Sequence, residues 1–390
     1  MSNDNDDAER LFELDGLRGW ASLSVLLFHI FCEIFGLLVP SFRSILPVAF
    51  MNGHLAVAVF FVLSGEALSV PYWKTGSRAY VLRQIAKRYP RLTIPIFCSS
   101  LIVLLLWKAG LIFSGSAGAT LSWLSELSFT PNLRNLCHFS FLSVYGLGPW
   151  YPYNPLLWSM RIEIFGSFLV FGILFLNSIF RLGVIEFVVI IAAMALVVEP
   201  GLTCILFGLI FGRLQALGLF AWCRKTAWMQ PVSWLMLGAA LLFGSSAQRE
   251  YWTEGAGVLQ FMPSSAKFVT AAMATVFFVQ CNFAATKFLR AGISRFLGKI
   301  SFPLYLIQFS VLISFMSSAI LFANAHGGLN WLSISIIAGL TIIASLLASV
   351  VFLPIEQLTH VICNFIGRMV PASRRSVSPA EVRPLTELRP

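Results

Sequence analysis

Charge is what this chain has least of. Only 11% of its 390 residues are Asp, Glu, Lys or Arg, and 58% are hydrophobic, where ordinary soluble domains carry about 25% charged residues. That shortage excludes a water-soluble globular protein. Paired metal-ligand spacings are missing as well. The seven cysteines (Cys32, Cys98, Cys137, Cys204, Cys223, Cys281 and Cys363) include no CxxC, and the five histidines form no HxxxH or HExxH, so neither a metal nor a disulfide framework is expected. No Walker loop, dinucleotide fingerprint or GxSxG elbow occurs, which excludes nucleotide folds and elbow-type serine hydrolysis. The start, MSNDNDDAER, lacks the positive n-region of a cleaved signal and is expected to stay attached.

What is present is a series of apolar runs long enough to cross about 30 Å of hydrocarbon. They fall near 19–39, 53–70, 92–113, 156–178, 183–199, 201–222, 231–247, 266–284, 300–323 and 331–354. The fold class predicted is an all-α polytopic helix bundle of about ten transmembrane helices. With the N-terminus inside, most of the 27 Lys and Arg fall in cytoplasmic segments, as the positive-inside rule requires, and both termini are cytoplasmic. The net charge of +10 is thereby explained by topology and anionic lipid, not by a nucleic-acid partner. Three regions follow: a cytoplasmic segment 1–18, a transmembrane domain 19–367, and a basic tail 368–390 rich in Pro, Ser and Arg that is expected to be disordered. The longest stretch between spans, about 114–155, is placed outside and suits a lid or a selectivity element.

Polar residues inside such spans are expensive and default to functional readings. Residues 14–29, LDGLRGWASLSVLLFH, put Arg18 at the membrane edge and His29 near mid-bilayer. At about 100° and 1.5 Å per residue the two lie within roughly 20° of one face and about 16 Å apart. Glu33 is one turn further along the stripe, in reach of the His29 ring. The run KRYPRLTIP sets Arg88 and Arg91 at the depth of Arg18, where forked guanidinium groups match phosphate oxygens; lipid head groups or topology would also account for them. Glu163 lies near the outer end of the fourth span, either in chemistry or in an ion pair with a cation of a neighbouring helix. Ser64 of VLSGE reads as helix packing. His54 and His360 lie at span ends, and Tyr305 and Gln308 sit in the ninth span.

In order along the chain, these segments resemble acyltransferase family 3, integral membrane O-acyltransferases that modify sugars, polysaccharides and some small molecules. The resemblance rests on Leu14 to Gly19 with His29 eleven residues after Arg18, on FFVLSG at Phe60 to Gly65, and on the RxxR pair Arg88 and Arg91. It rests also on Trp158, Ser159 and Glu163, and on Gly298 to Leu306. Glu66 stands where an aromatic or apolar residue is usual, as if to reshape a pocket wall, and Gln308 replaces a common His. The resemblance implies an acyl-coenzyme A donor, most often acetyl, no metal, and a hydroxyl acceptor such as a polysaccharide or lipid-linked saccharide, in a multi-pass protein of the plasma (inner) membrane. With the helix-stripe reading, which adds Glu33, the candidate catalytic residues are His29, Glu163 and Glu33, and the candidate donor-binding ones are Arg18, Arg88, Arg91 and Tyr305. A transporter or flippase using the same intramembrane charges, or a catalytically silent scaffold, remains the alternative.

Overall fold

The computed structural model describes residues 12–37, 39–44, 51–114, 129–149, 152–195, 198–253 and 262–370, and these form helices with no strand among them. Of the expected tail 368–390, Arg368 and Met369 end the last helix, and the part from 371, like the first eleven residues and the middle of the 114–155 stretch, lies outside the described residues. In chain order the helices are α1 (Phe12–Leu27), α2 (Gly53–Thr75), α3 (Arg78–Lys108), α4 (Leu133–Phe141), α5 (Ser159–Phe180), α6 (Val184–Ala195) and α7 (Pro200–Ala216). There follow α8 (Leu219–Lys225), α9 (Met229–Thr253), α10 (Ser264–Cys281), α11 (Phe283–Leu289), α12 (Gly292–Val311), α13 (Ser317–Ala325) and α14 (Trp331–Met369).

Their ends follow from local chemistry. Asn52, Ser77, Asn132 and Asn330 cap α2, α3, α4 and α14 by accepting from the backbone amide three residues on. Gly76, at φ 62°, closes α2 in the left-handed conformation that a residue with a side chain resists. Helix α1 does not stop at Leu27. It runs on through a π-helical turn, Phe28–Ile34, and a short 3-10 turn, Phe35–Leu37. A π turn is rare and recurs at functional positions; this one carries His29 and Glu33.

Over their described residues the ten apolar runs are largely helical, some divided between two helices, yet the helices differ in their fitness to span. Among the described residues seven are long and apolar enough to cross a membrane, or eight if α7 and α8, bent by 69° at Leu217 and Gly218, make one broken span. Helix α6, at 12 residues, is short for a crossing. Helix α9 is long, but Gln230, Gln248, Arg249 and Glu250 lower its apolarity. The described part of 114–155 does not simply lie beyond the end of α3. It folds back along it, with Phe141 O accepting from Tyr89 (2.9 Å), Tyr145 bonded to Thr93 (2.8 Å) and Phe141 packed on Phe97.

Two glycine seams bring the site-bearing helices together. On α1, a Cβ at Gly16 or Gly19 would overlap the backbone of Leu289 or of Leu297 and Gly298, and one at Gly298 would meet the backbone of Asp15. Trp20 Nε1 donates to Ser294 Oγ (3.0 Å) and Ser22 Oγ to Ser301 O (2.9 Å) along the same seam. Between α2 and α7, Gly65 and Gly208 do likewise, each facing the other helix's carbonyls at Ile205 and Val62. In a bilayer, where lipid tails are as apolar as leucine, such small-residue contacts let backbones approach and gain dispersion energy.

Gly19→Val and Gly298→Val are each expected to destabilise the protein by about 1–3 kcal/mol or more, as overpacking of tight contacts does. Gly172→Ala, where a Cβ meets nothing within 4 Å, should be neutral or stabilising by up to about 1 kcal/mol. Thermal unfolding of the three variants in detergent measures the difference.

Candidate functional site

Two cavities open on opposite ends of the bundle. The first, of about 680 Å³, sits at the end where α1 begins and gathers Arg18 and Asp15 from α1, Lys87, Arg88 and Arg91 from α3, Glu163 from α5, Lys299 from α12, and Glu356 and His360 from α14. The second, of about 210 Å³, is lined by His29 and Glu33 from the π turn, His54 at the start of α2, and Leu156 and Trp158 just before α5. Because α1 and α2 run antiparallel, the end of one and the start of the other meet there. Val57 and Tyr305 line both cavities and stand where they adjoin.

In the larger cavity the basic groups are tied down unequally. Arg18 Nη1 pairs with Asp15 (3.1 Å) and its Nη2 donates to Leu63 O (3.1 Å), which fixes the guanidinium between α1 and α2. Arg91 Nη1 lies 3.0 Å from His360 Nδ1, and His360 Nε2 is 3.8 Å from Glu356. Arg88 is buried. It forms an ion pair with Glu163, donates from Nε to Ser167 Oγ (2.7 Å) and from Nη2 to Ser64 Oγ (3.4 Å), while Ser64 Oγ donates to Glu163 Oε1 (2.5 Å). Charges taken out of water need partners of this kind.

This cluster sorts the residues singled out by the sequence. Glu163, for which the sequence left chemistry and an ion pair with a neighbouring helix both open, does form an ion pair: it meets Arg88 and Ser64 part-way along α3 and α2, on the Arg18 side of Tyr305. Of the three carboxylate and imidazole groups read as catalytic, Glu33 and His29 share a cavity and Glu163 borders the other. Arg88 lies with Arg18 and Arg91 as expected, but its guanidinium is engaged within the protein. Ser64, read as packing, is instead a hydrogen-bonding member of the cluster, and it is the neighbouring Gly65 that does the close packing.

Tyr305 is fully engaged. Its hydroxyl meets Ser159 Oγ at 2.8 Å and donates to Leu156 O, and its ring stands edge-on to Phe60. Gln308 and Glu66 line neither cavity. Gln308 Nε2 donates to Tyr305 O (3.3 Å), and Glu66, fully buried, accepts from Gln280 Nε2 on α10 (2.7 Å). The departure at Glu66 therefore joins two helices and does not reshape a pocket wall.

A family model described as an acyltransferase domain matches residues 11–350. The chain belongs to acyltransferase family 3. No curated protein and no solved structure matches it. The family's segments now have physical jobs here. In LDGLRG, Gly16 admits the end of α11 at Leu289, Gly19 admits α12 and Arg18 reaches Leu63; in FFVLSG, Leu63 O receives Arg18, Ser64 binds Glu163, and Gly65 admits α7. Ser159 holds the Tyr305 hydroxyl. The acyltransferase is thus a multi-pass membrane protein, and no group of three or more His, Cys, Asp or Glu among its described residues suits a metal ion.

Lining residues whose place in a cavity the sequence did not signal include His54, Lys87, Lys299, Glu356 and His360; the pairing of helices, which no single span encodes, brings them there.

Glu163→Gln is expected to leave Arg88 a buried, unbalanced cation and to cost about 3–5 kcal/mol of stability, whereas Ser64→Ala removes one hydrogen bond and should cost about 1 kcal/mol. Chemical unfolding followed by tryptophan fluorescence separates the two.

Proposed function

We propose that the protein is an O-acyltransferase that takes an acyl group, acetyl in the first instance, from acyl-coenzyme A at the Arg18 end and delivers it to a hydroxyl of a carbohydrate that reaches the His29 end. The observation that carries this reading is the pair of cavities adjoining at Tyr305, one basic and one built around His29. Coenzyme A is a long arm with phosphates at one end and the thioester at the other. Arg18, Arg91 and Lys299 supply cations for the phosphates, and the arm extends past Tyr305 toward His29. Arg88 acts at one remove in this reading, fixing Glu163 and Ser64 in the wall of the donor cavity.

The chemistry is direct transfer. The acceptor oxygen attacks the thioester carbonyl as His29 takes the hydroxyl proton; the carbon–sulfur bond then breaks, and His29 returns the proton to the departing thiolate. The products are an ester and free coenzyme A. Glu33, in the same cavity, orients His29 or raises its basicity. With Arg18 on the cytoplasmic face, as the distribution of basic residues favours, donor and acceptor approach from opposite sides of the plasma membrane.

The test uses purified protein in nanodiscs with radiolabelled acetyl-coenzyme A and a cell-envelope glycan fraction. Wild type should release free thiol and label the glycan. His29→Ala should lower both by at least 100-fold, the scale of general base catalysis, while retaining donor binding; Arg18→Ala should weaken donor binding. A wild type that binds the donor but transfers nothing, or that moves a saccharide across the bilayer without thiol release, would favour the transporter alternative.

A further inference from the structure

The cations of the larger cavity differ in what holds them. Arg18 is paired with Asp15 and Arg88 with Glu163, so each has a carboxylate against its charge. Lys87 and Arg91 are held otherwise. Lys87 Nζ donates to the amide oxygen of Asn364 (3.0 Å), and Arg91 Nη1 donates to Nδ1 of His360 (3.0 Å). An arginine only donates, so Nδ1 is the acceptor of a neutral ring. Both partners are therefore neutral, and among the described residues neither Lys87 nor Arg91 makes an ion pair with a carboxylate. Their positions are fixed while their charges stay uncompensated.

One helix supplies both acceptors. Glu356, His360 and Asn364 recur every fourth residue along α14, which puts them on one face, and that face lies along the part of α3 where Lys87 and Arg91 stand one turn apart. A Cβ at Gly367 would overlap Lys87 Cε, so the lysine stem lies on the α14 backbone, and Cys363 Sγ donates to Lys87 O (3.6 Å). Glu356 is the carboxylate of this wall, and it faces His360 Nε2 at 3.8 Å. Arg83 and Arg368, four residues further along α3 and α14, add to the positive field. Lys87, Arg91, Glu356 and His360 all line the cavity. Two adjacent cations of undiminished charge match a doubly charged anion. A phosphate monoester carries about −1.5 to −2 near neutral pH, more than a phosphodiester, which has one ionisable oxygen fewer.

We infer that Lys87 and Arg91, positioned by Asn364 and His360 of α14, form a subsite for a phosphate monoester, and that this monoester is the 3′-phosphate of the coenzyme A donor. Arg18 and Lys299, on α1 and α12, are then left for the pyrophosphate. The subsite makes the donor a 3′-phosphorylated nucleotide thioester. It disfavours an acyl carrier whose pantetheine arm ends in a single phosphodiester, because such a donor leaves the two cations unmatched. This rests on the reading of the larger cavity as the donor site of an acyl transfer.

The experiment measures thiol release in phosphatidylcholine nanodiscs with saturating glycan acceptor, using acetyl-coenzyme A and acetyl-3′-dephospho-coenzyme A as donors, for wild type, Lys87→Gln and Asn364→Asp. Asn364→Asp keeps an oxygen for Lys87 Nζ and strengthens the contact of α3 with α14, while setting a carboxylate against the cation. In wild type the half-saturating concentration of the dephospho donor should exceed that of acetyl-coenzyme A by about tenfold or more, the worth of one charge-assisted hydrogen bond, with similar maximal rates. Lys87→Gln and Asn364→Asp should each raise the half-saturation of acetyl-coenzyme A by about tenfold and leave that of the dephospho donor unchanged, so that the preference disappears. A purely structural Asn364 would let Asn364→Asp keep the wild-type preference, and that result overturns the inference. A wild type that uses both donors alike overturns it too. If phosphatidic acid in the nanodiscs, whose headgroup is also a phosphate monoester, then raises the half-saturation of both donors in wild type and not in Lys87→Gln, the subsite belongs to a lipid headgroup instead. A wild type that releases thiol from neither donor overturns the acyl-transfer reading itself, and this inference falls with it.

Discussion

The approach of α1 to α12 through Gly16, Gly19 and Gly298 is the constraint on which the rest of the molecule depends. Both partners carry site residues: Arg18, His29 and Glu33 on one, Lys299 and Tyr305 on the other. A single Cβ in this seam overlaps backbone, which has no rotamer by which to yield. With the seam closed, Trp20 and Ser22 find their hydrogen-bond partners and Tyr305 comes to the junction of the two cavities. Separating the helices would dissolve that junction while leaving each helix intact.

A second anchor complements it. The buried Arg88 and Glu163 pair, with Ser64 and Ser167, joins α2, α3 and α5 around the larger cavity. Its burial means each charge depends on the other, so the cavity wall is held by a network whose members cannot be removed singly at low cost. The same carboxylate thereby has the ion-pairing duty that the sequence left open beside chemistry, and the tertiary structure names its partner. Glu250 and Lys267 form a comparable pair between α9 and α10 at the opposite end, where Asn52 and His54 fasten α2 to α9.

The two ends of the bundle have different characters because antiparallel helices sort residues by depth. Cations cluster where α1 and α12 begin and where α14 nears its end. Imidazoles and Glu33 gather where α1 ends and α2 begins. Tyr305, whose hydroxyl is held by Ser159 and Leu156, stands between the two ends.

The sequence by itself determined that the chain is an all-α membrane bundle, because scarce charge and long apolar runs admit no other solution for the backbone in lipid. It also marked Arg18 and His29 as a pair and Arg88 and Arg91 as neighbours in depth, since a helix's period and rise are local properties. Tertiary structure decided what no local period encodes. It replaced the regular helix at His29 with a π turn, gave Glu163 to Arg88 and Ser64, left Glu66 and Gln308 outside both cavities, and brought His54 to His29 from the next helix. The physical reason is that spacing along one helix fixes which residues share a face, whereas the partner of that face is chosen by glycine seams and buried charges spread over segments far apart in the chain.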